Sequence, residues 1–233
     1  MASPRPELAA VAEHLRPVSL ALEQTLPVAG AFASLIGRGG LVRGSTLAVT
    51  GEGAAVSVAL ALCVEAASAG SWVAVVGSRR LGLAAADELG LPLERLVLVD
   101  DPESRLVPAV TAALVDAFEL TLVVDQPRLS ASRTRKLVSR NRERGGVLMR
   151  VGGTDWPDAP DVTVAVTGSV WTGLGRGHGV LRARRVELAV SGRRQGGIRR
   201  GRIWLPDADG VVRVAEETET VPHGGGRALT LAG

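Results

Sequence analysis

Tyrosine is absent from this chain, phenylalanine occurs twice and cysteine once, so several functional classes drop out before any motif is read. A lone Cys63 excludes an intramolecular disulfide and a cysteine-rich zinc site; within ALALCVEAA it reads as a small buried apolar residue. With aromatics at 3%, a base-stacking platform for nucleic acid is poorly supplied. Three histidines spread over terminal or glycine-rich segments assemble no Ser/His/Asp or Cys/His constellation and no metal site. Apolar runs such as Ala54 to Val64 fall short of the roughly 18 to 20 residues that span a bilayer, and the start MASPRPELAA lacks a signal-peptide core. The expectation is a cytoplasmic protein without membrane contact, built on one domain with short appendages.

Lysine is the other scarcity. Lys136 stands alone among 27 basic residues, the rest being arginine, and with no tyrosine little titrates between neutrality and the arginine range. The sequence pI of 10.2 therefore overstates a net charge of only +3. The distribution says more: from Arg176 to Arg202 nine arginines face one acid, Glu187, a local excess of +8 that leaves −5 for the remainder.

Along the chain, ELAAVAEHLRP carries helical spacing up to Pro17 and predicts an N-terminal helical segment within residues 1–20. A core domain over 21–206 follows. Short apolar runs alternate there with amphipathic helices, the pattern of βαβ units. Strands are expected at Ser45–Thr50, Trp72–Val76, Arg95–Val99, Leu120–Val124 and Gly146–Val151, with helices at Ala54–Ala69, Leu83–Leu89, Leu106–Ala117 and Ser130–Arg144. The runs are apolar on both faces, as in a mostly parallel sheet with helices on both sides. After the turn-rich Gly152–Asp161 the period changes to two, predicting an antiparallel C-terminal extension of the sheet from VTVAVTG, GVLRARRVELAVSG and GRIWLP. Residues 207–233 are expected to form a partly flexible tail. The fold class is α/β.

The first strand runs through a glycine turn into a helix at TGEGAAVSVALAL. A phosphate-binding loop needs G-x-x-x-x-G-K-[ST] at this place, because its amides cradle phosphate, its lysine neutralises charge and its hydroxyl holds magnesium. With Gly51 as first glycine and Gly53 inside the loop, Val56 takes the second glycine, Ser57 the lysine and Val58 the hydroxyl position. All three chemical requirements are missing, so the expectation is no bound nucleotide and no cofactor. Asp125 closes the strand LTLVVDQ where a Walker B aspartate would polarise magnesium, and Arg79 and Arg80 in GSRRLG stand near the place of a catalytic glutamate. The run GLGRGHG is not G-x-G-x-x-G and opens no helix; it reads as a turn, and His178 within it has no second ligand nearby.

The segment GRGGLVRGSTLAVTGEGAAVSVALAL, followed by ADELGLPLERLVLV and LTLVVDQ, resembles the core of RecA. LPVAGAFASLI, SAGSWVAVVG, ELGLPLERL and WTGLGRGHGVLRARRV with WLP resemble, more closely, the actinobacterial ImuA-like proteins, over roughly residues 20–206. The resemblance implies a RecA-like P-loop-type core without catalysis. It implies a partner, a Y-family-like polymerase hub of the ImuB type, and through it an error-prone DnaE-type polymerase and the sliding clamp, in translesion synthesis. It further implies nucleoid association on DNA damage. Two other readings stay open: a cryptic ATP-binding ATPase, and a division inhibitor of the SulA type.

RecA-like proteins hold single-stranded DNA on the connections after the Walker B strand and the next strand. The second of these carries Asp155, Asp158 and Asp161 and no basic residue, which repels phosphate. The arginine stretch offers another contact surface for DNA or an acidic partner. Arg182 and Arg184 fall on one strand face and Arg185 on the other, with Arg193, Arg194, Arg199, Arg200 and Arg202 in adjoining turns. Trp171 and Trp204 read as sheet packing or partner anchors.

Overall fold

A short antiparallel pair, β1 (Thr25–Pro27) and β2 (Gly40–Val42), brackets α1 (Gly30–Ile36) ahead of the main sheet. The computed structural model describes residues 24–77, 81–126, 129–152, 158–174, 179–193 and 196–216. The predicted helix over 1–20 lies outside them. So do Arg79 and Arg80, Asp155, His178 and Arg194.

Five parallel strands follow: β3 (Thr46–Thr50), β4 (Val73–Val76), β5 (Leu96–Val99), β6 (Leu120–Val124) and β7 (Val147–Val151), in spatial order β3-β7-β6-β4-β5. Between them run α2 (Ala55–Ser68), α3 (Leu83–Glu88), α4 (Val107–Ala117) and α5 (Ala131–Arg144). The strand pleat sends successive side chains to opposite helical layers. Val73 and Val75 join the α2 core, whereas Ala74 and Val76 pack with Leu114 of α4 on the other face.

α2 is apolar nearly all round, and nine of its 14 residues are buried, because it lies across the sheet centre instead of on its margin. Cys63 sits in it with no exposure, its Sγ donating to the Ala59 carbonyl at 3.2 Å, and burial pushes its thiol up to about 12. α5 is the amphipathic counterpart. Ser130 caps it by accepting from the Arg133 amide at 3.4 Å, Gly145 ends it in the left-handed region, and Arg142 and Arg144 complement the carbonyl end of its dipole.

The extension begins with β8 (Val162–Leu174), parallel to β3, and continues antiparallel through β9 (Gly179–Gly192), β10 (Arg199–Trp204) and β11 (Arg213–Val214). One face of it, with Val164, Val186, Leu188, Val190 and Ile203, is continuous with the core under α1 and α2. On the opposite face α4 and α5 pack on β4, β6 and β7. Along β8 to β10 that face presents Thr163, Ala165, Arg185, Glu187, Ala189, Arg200 and Arg202, all half-buried or exposed. The entry to β8 is clasped by Asp161, whose Oδ2 accepts from both the amide and the hydroxyl of Thr46 at 3.0 Å each.

The expected boundary at 206 falls inside folded chain, and residues 207–216 correct the reading of a tail from 207 onward. Asp207 is buried; its Oδ1 accepts from the amides of Asp209 (3.0 Å) and Val211 (2.9 Å), and its Oδ2 from Arg213 Nε at 2.7 Å. That carboxylate shapes the turn which returns β11 to β10 and buries Ala215 beside Trp204. Burial alone would raise its pKa; the Val211 amide, Arg213 and the Asp209 amide outweigh it and hold the carboxyl below the usual range. Its contribution is therefore complete above the unfolded value of about 3.9 and is lost as pH falls through the lower folded value. Urea titrations should show Asp207→Asn lowering the midpoint at pH 7 and flattening the loss of stability between about pH 5 and pH 2. An unchanged acid limb would remove this clasp from the account.

Candidate functional site

β3 delivers the chain into a four-residue loop, Gly51 to Ala54, before α2 begins at Ala55. Gly51 has φ +103°, and a Cβ there would come within 2.3 Å of the Val166 carbonyl, so β8 presses directly on the loop. The three positions read as lost phosphate chemistry all lie in the first turn of α2. Val56 packs partly against the core, Ser57 is half-buried and Val58 has no exposure, its amide already donating to the Ala54 carbonyl at 2.9 Å. Where a magnesium-holding hydroxyl would stand, a valine is core.

A cation does reach this loop, from a direction the sequence did not indicate. Arg184, opposite Trp171 in the β8–β9 ladder, is 6% exposed. Its Nε donates to Ser169 Oγ at 2.7 Å, its Nη2 donates to the Gly53 carbonyl at 2.5 Å, and its guanidinium lies 5.2 Å from the Trp171 ring centroid. Desolvation lowers its pKa from the ordinary value. The contact spans 131 residues of sequence and ties the sheet extension to the glycine loop. Arg184, expected among the candidate partner or DNA contacts, is instead spent on the protein itself.

Asp125 lies at the carboxyl end of β6 with φ +46° and is exposed; its amide donates to the Val151 carbonyl at 3.0 Å. A Cβ on Gly152 would stand 2.1 Å from its Oδ1, so the carboxylate rests against the Gly152 backbone and only glycine fits there. Among the described residues no group of three or more His, Cys, Asp or Glu is placed to hold a metal ion.

The remaining arginines divide. Arg182 is exposed; the ladder puts Arg185, Arg200 and Arg202 on the open face of the extension, while Arg199 points to the opposite one and donates to the Ser34 carbonyl at 3.0 Å. Arg193 donates to the Ala159 carbonyl. Trp204 is not a surface anchor: at 6% exposure it is enclosed by Ala183 and Ala215, with the Arg213 guanidinium 5.9 Å from its ring centroid. Asp161, expected to repel DNA in a loop, is instead committed to Thr46.

Residues 34–158 match the family described as the MT3502 N-terminal domain, more than half of the chain. The uncharacterised protein Rv3395c of Mycobacterium tuberculosis is 32% identical over 148 residues, covering 59% of this chain and 69% of that protein. The chain belongs to the MT3502 N-terminal domain family. This is the mycobacterial ImuA-like family, as the sequence resemblance indicated. The crystal structure of the RadB recombinase superposes with a TM-score of 0.55 at 14% identity, covering 80% of this chain and 97% of that one, which establishes the RecA-like fold.

In this ImuA-like protein the family segment contains the glycine loop and Asp125 and stops before β8. The guanidinium that closes the loop comes from outside it. Arg184→Ala leaves the Gly53 carbonyl and the Ser169 hydroxyl without their donor and should cost about 2–3 kcal/mol in equilibrium urea unfolding. Arg184→Lys should recover less than half of that, because a point ammonium cannot serve both acceptors and lie against Trp171. Wild-type stability in either variant would show that the tie contributes nothing.

Proposed function

We propose that this protein is a non-catalytic RecA-fold accessory factor in DNA-damage-induced translesion synthesis, and that it works by holding a Y-family-like polymerase hub. The observation that carries the non-catalytic half is the filled loop. A nucleotide phosphate there would meet neither the lysine nor the hydroxyl it requires, with Val58 in the core and Arg184 already bonded to Gly53. ImuA-like family membership supports the partner half, together with the open face of the extension.

That face carries Arg185, Arg200 and Arg202 around Glu187, with small residues between them, an arrangement suited to an acidic surface on a protein. Asp125 plays no part in this reading. Removing the chain after Trp204 is a poor test, since Leu205, Asp207 and Ala215 are buried. Charge reversal is cleaner.

Calorimetric titration with Mg-ATP should give no binding heat; a micromolar dissociation constant would instead establish a cryptic ATPase. In pulldowns with the purified polymerase-like hub, Asp125→Ala should capture as wild type, whereas Arg200→Glu with Arg202→Glu should weaken capture by about tenfold. Undiminished capture by the double variant would move the partner to another face.

A further inference from the structure

The end of the sheet remote from the glycine loop carries a second concave feature. There the entry to β3, the turn after α1, the end of α5 and the β9–β10 end of the extension enclose a cleft of about 600 Å³, within the range of ligand sites. Among the described residues, Arg38, Arg43, Arg142, Arg193 and Arg199 line it with a single acid, Asp161. These five arginines, from position 38 to position 199, come from four separate parts of the fold, and each is exposed.

The lone acid does little to neutralise them. Asp161 gives Oδ2 to Thr46, and its Oδ1 stands 4.0 Å from Arg142 Nη2. Arg199 and Arg193 donate to the Ser34 and Ala159 carbonyls, contacts that orient a guanidinium while leaving its charge and most of its five N–H donors available. Arg38 is held at the rim with φ +51°, a conformation that a long side chain adopts at a cost. The cleft therefore concentrates a net positive field on one concavity, in a protein whose total charge is only +3.

Three features select the ligand. Guanidinium forks match pairs of phosphate oxygens, and among the described residues no aromatic side chain lines the cleft, so contact falls on phosphates and not on bases. Ile36, Leu41 and Leu47 on the floor are 6%, 0% and 1% exposed, which leaves the half-buried Val42 and Val162 as the apolar contacts beside the arginines, a small area for the side-chain anchor of an acidic peptide. The charges rim a concavity instead of crowning a convex face, so the phosphates must pass between them. A flexible single strand can do so; a duplex, stiff over about 150 base pairs, cannot.

We propose that this cleft binds the phosphodiester backbone of single-stranded nucleic acid without reading its bases. The site lies apart from the connection after β6 and from the open face of the extension; from the connection after β7 it takes Asp161, the last residue before β8. It holds whether or not the polymerase-like hub is the partner.

Fluorescence anisotropy of the full chain with a labelled oligothymidylate tests it. Binding should weaken linearly in log–log form between about 50 and 200 mM salt, with a slope of about −0.7 per phosphate engaged and no steeper than about −3.5 for five arginines. Arg43→Gln with Arg142→Gln should flatten that slope by about 1.4, as should Arg38→Gln with Arg43→Gln. Arg135→Gln with Lys136→Gln, an equal charge loss on exposed positions of α5, should leave it unchanged. Mixed-sequence and oligothymidylate strands should bind alike. The proposal is overturned by salt-insensitive or absent binding, by equal losses in the α5 control, by duplex binding as tight as single strand, by displacement with a mononucleotide or inorganic phosphate at comparable concentration, or by a glutamate-rich peptide that binds tighter than the oligonucleotide.

Discussion

The Arg184 guanidinium is the tie on which the arrangement of the site depends. It draws three distant pieces of chain together: the glycine loop through the Gly53 carbonyl, β8 through the Ser169 hydroxyl, and the Trp171 ring through its face. A charge so poorly exposed is expensive to desolvate, and the cost is offset only because its polar contacts are met in a favourable geometry. In nucleotide-dependent relatives of this fold class, a loop of this kind takes its order from the phosphates it surrounds. In this protein the order is supplied from within, by an arginine on the sheet extension. The same contact positions β9, and with it the register that places Arg185, Arg200 and Arg202 on the open face.

Much of the parallel half was legible from residue order. The runs at 46–50, 73–76, 96–99, 120–124 and 147–151 fall within one residue of their expected limits, because a strand covered on both faces must be apolar throughout and is bounded by polar turns. The small elements were not. β1 and β2 are three residues each and contain Pro27 and Gly40, too short for any period to show, and α1 has only seven residues. The segment from 207 looked like a tail because its order rests on one carboxylate and one turn, and neither leaves a periodic trace.

The order of residues in the glycine loop was legible, and the side chain that reaches it was not. Val56, Ser57 and Val58 stand at a fixed spacing from Gly51, where a phosphate loop is expected to carry its second glycine, lysine and hydroxyl. Nothing local announces that Arg184 will turn inward while Arg182, on the same strand face, stays in solvent; the difference is made by Gly53, 131 residues away. The arginine cleft was hidden for a similar reason. The run from Arg176 to Arg202 drew notice as a block, yet Arg193 and Arg199 leave that block to join Arg38, Arg43 and Arg142, each unremarkable in its own neighbourhood. Charge density along a chain and charge density in space are different quantities.

The position of β3 has a consequence for how the molecule is made. This strand, at residues 46–50, pairs with β7 at 148–151 on one side and with β8 at 162–165 on the other, so neither neighbour exists until most of the chain has been synthesised. A nascent chain that has reached residue 158 holds the entire family segment, yet its central strand still shows one bare hydrogen-bonding edge. Such an edge invites pairing with any extended chain nearby. Asp161, which accepts from Thr46, is the residue that precedes β8 and ties its entry to β3. Long-range pairing of this kind makes for slow folding, and it makes the last third of the chain the guard of a strand translated near its beginning.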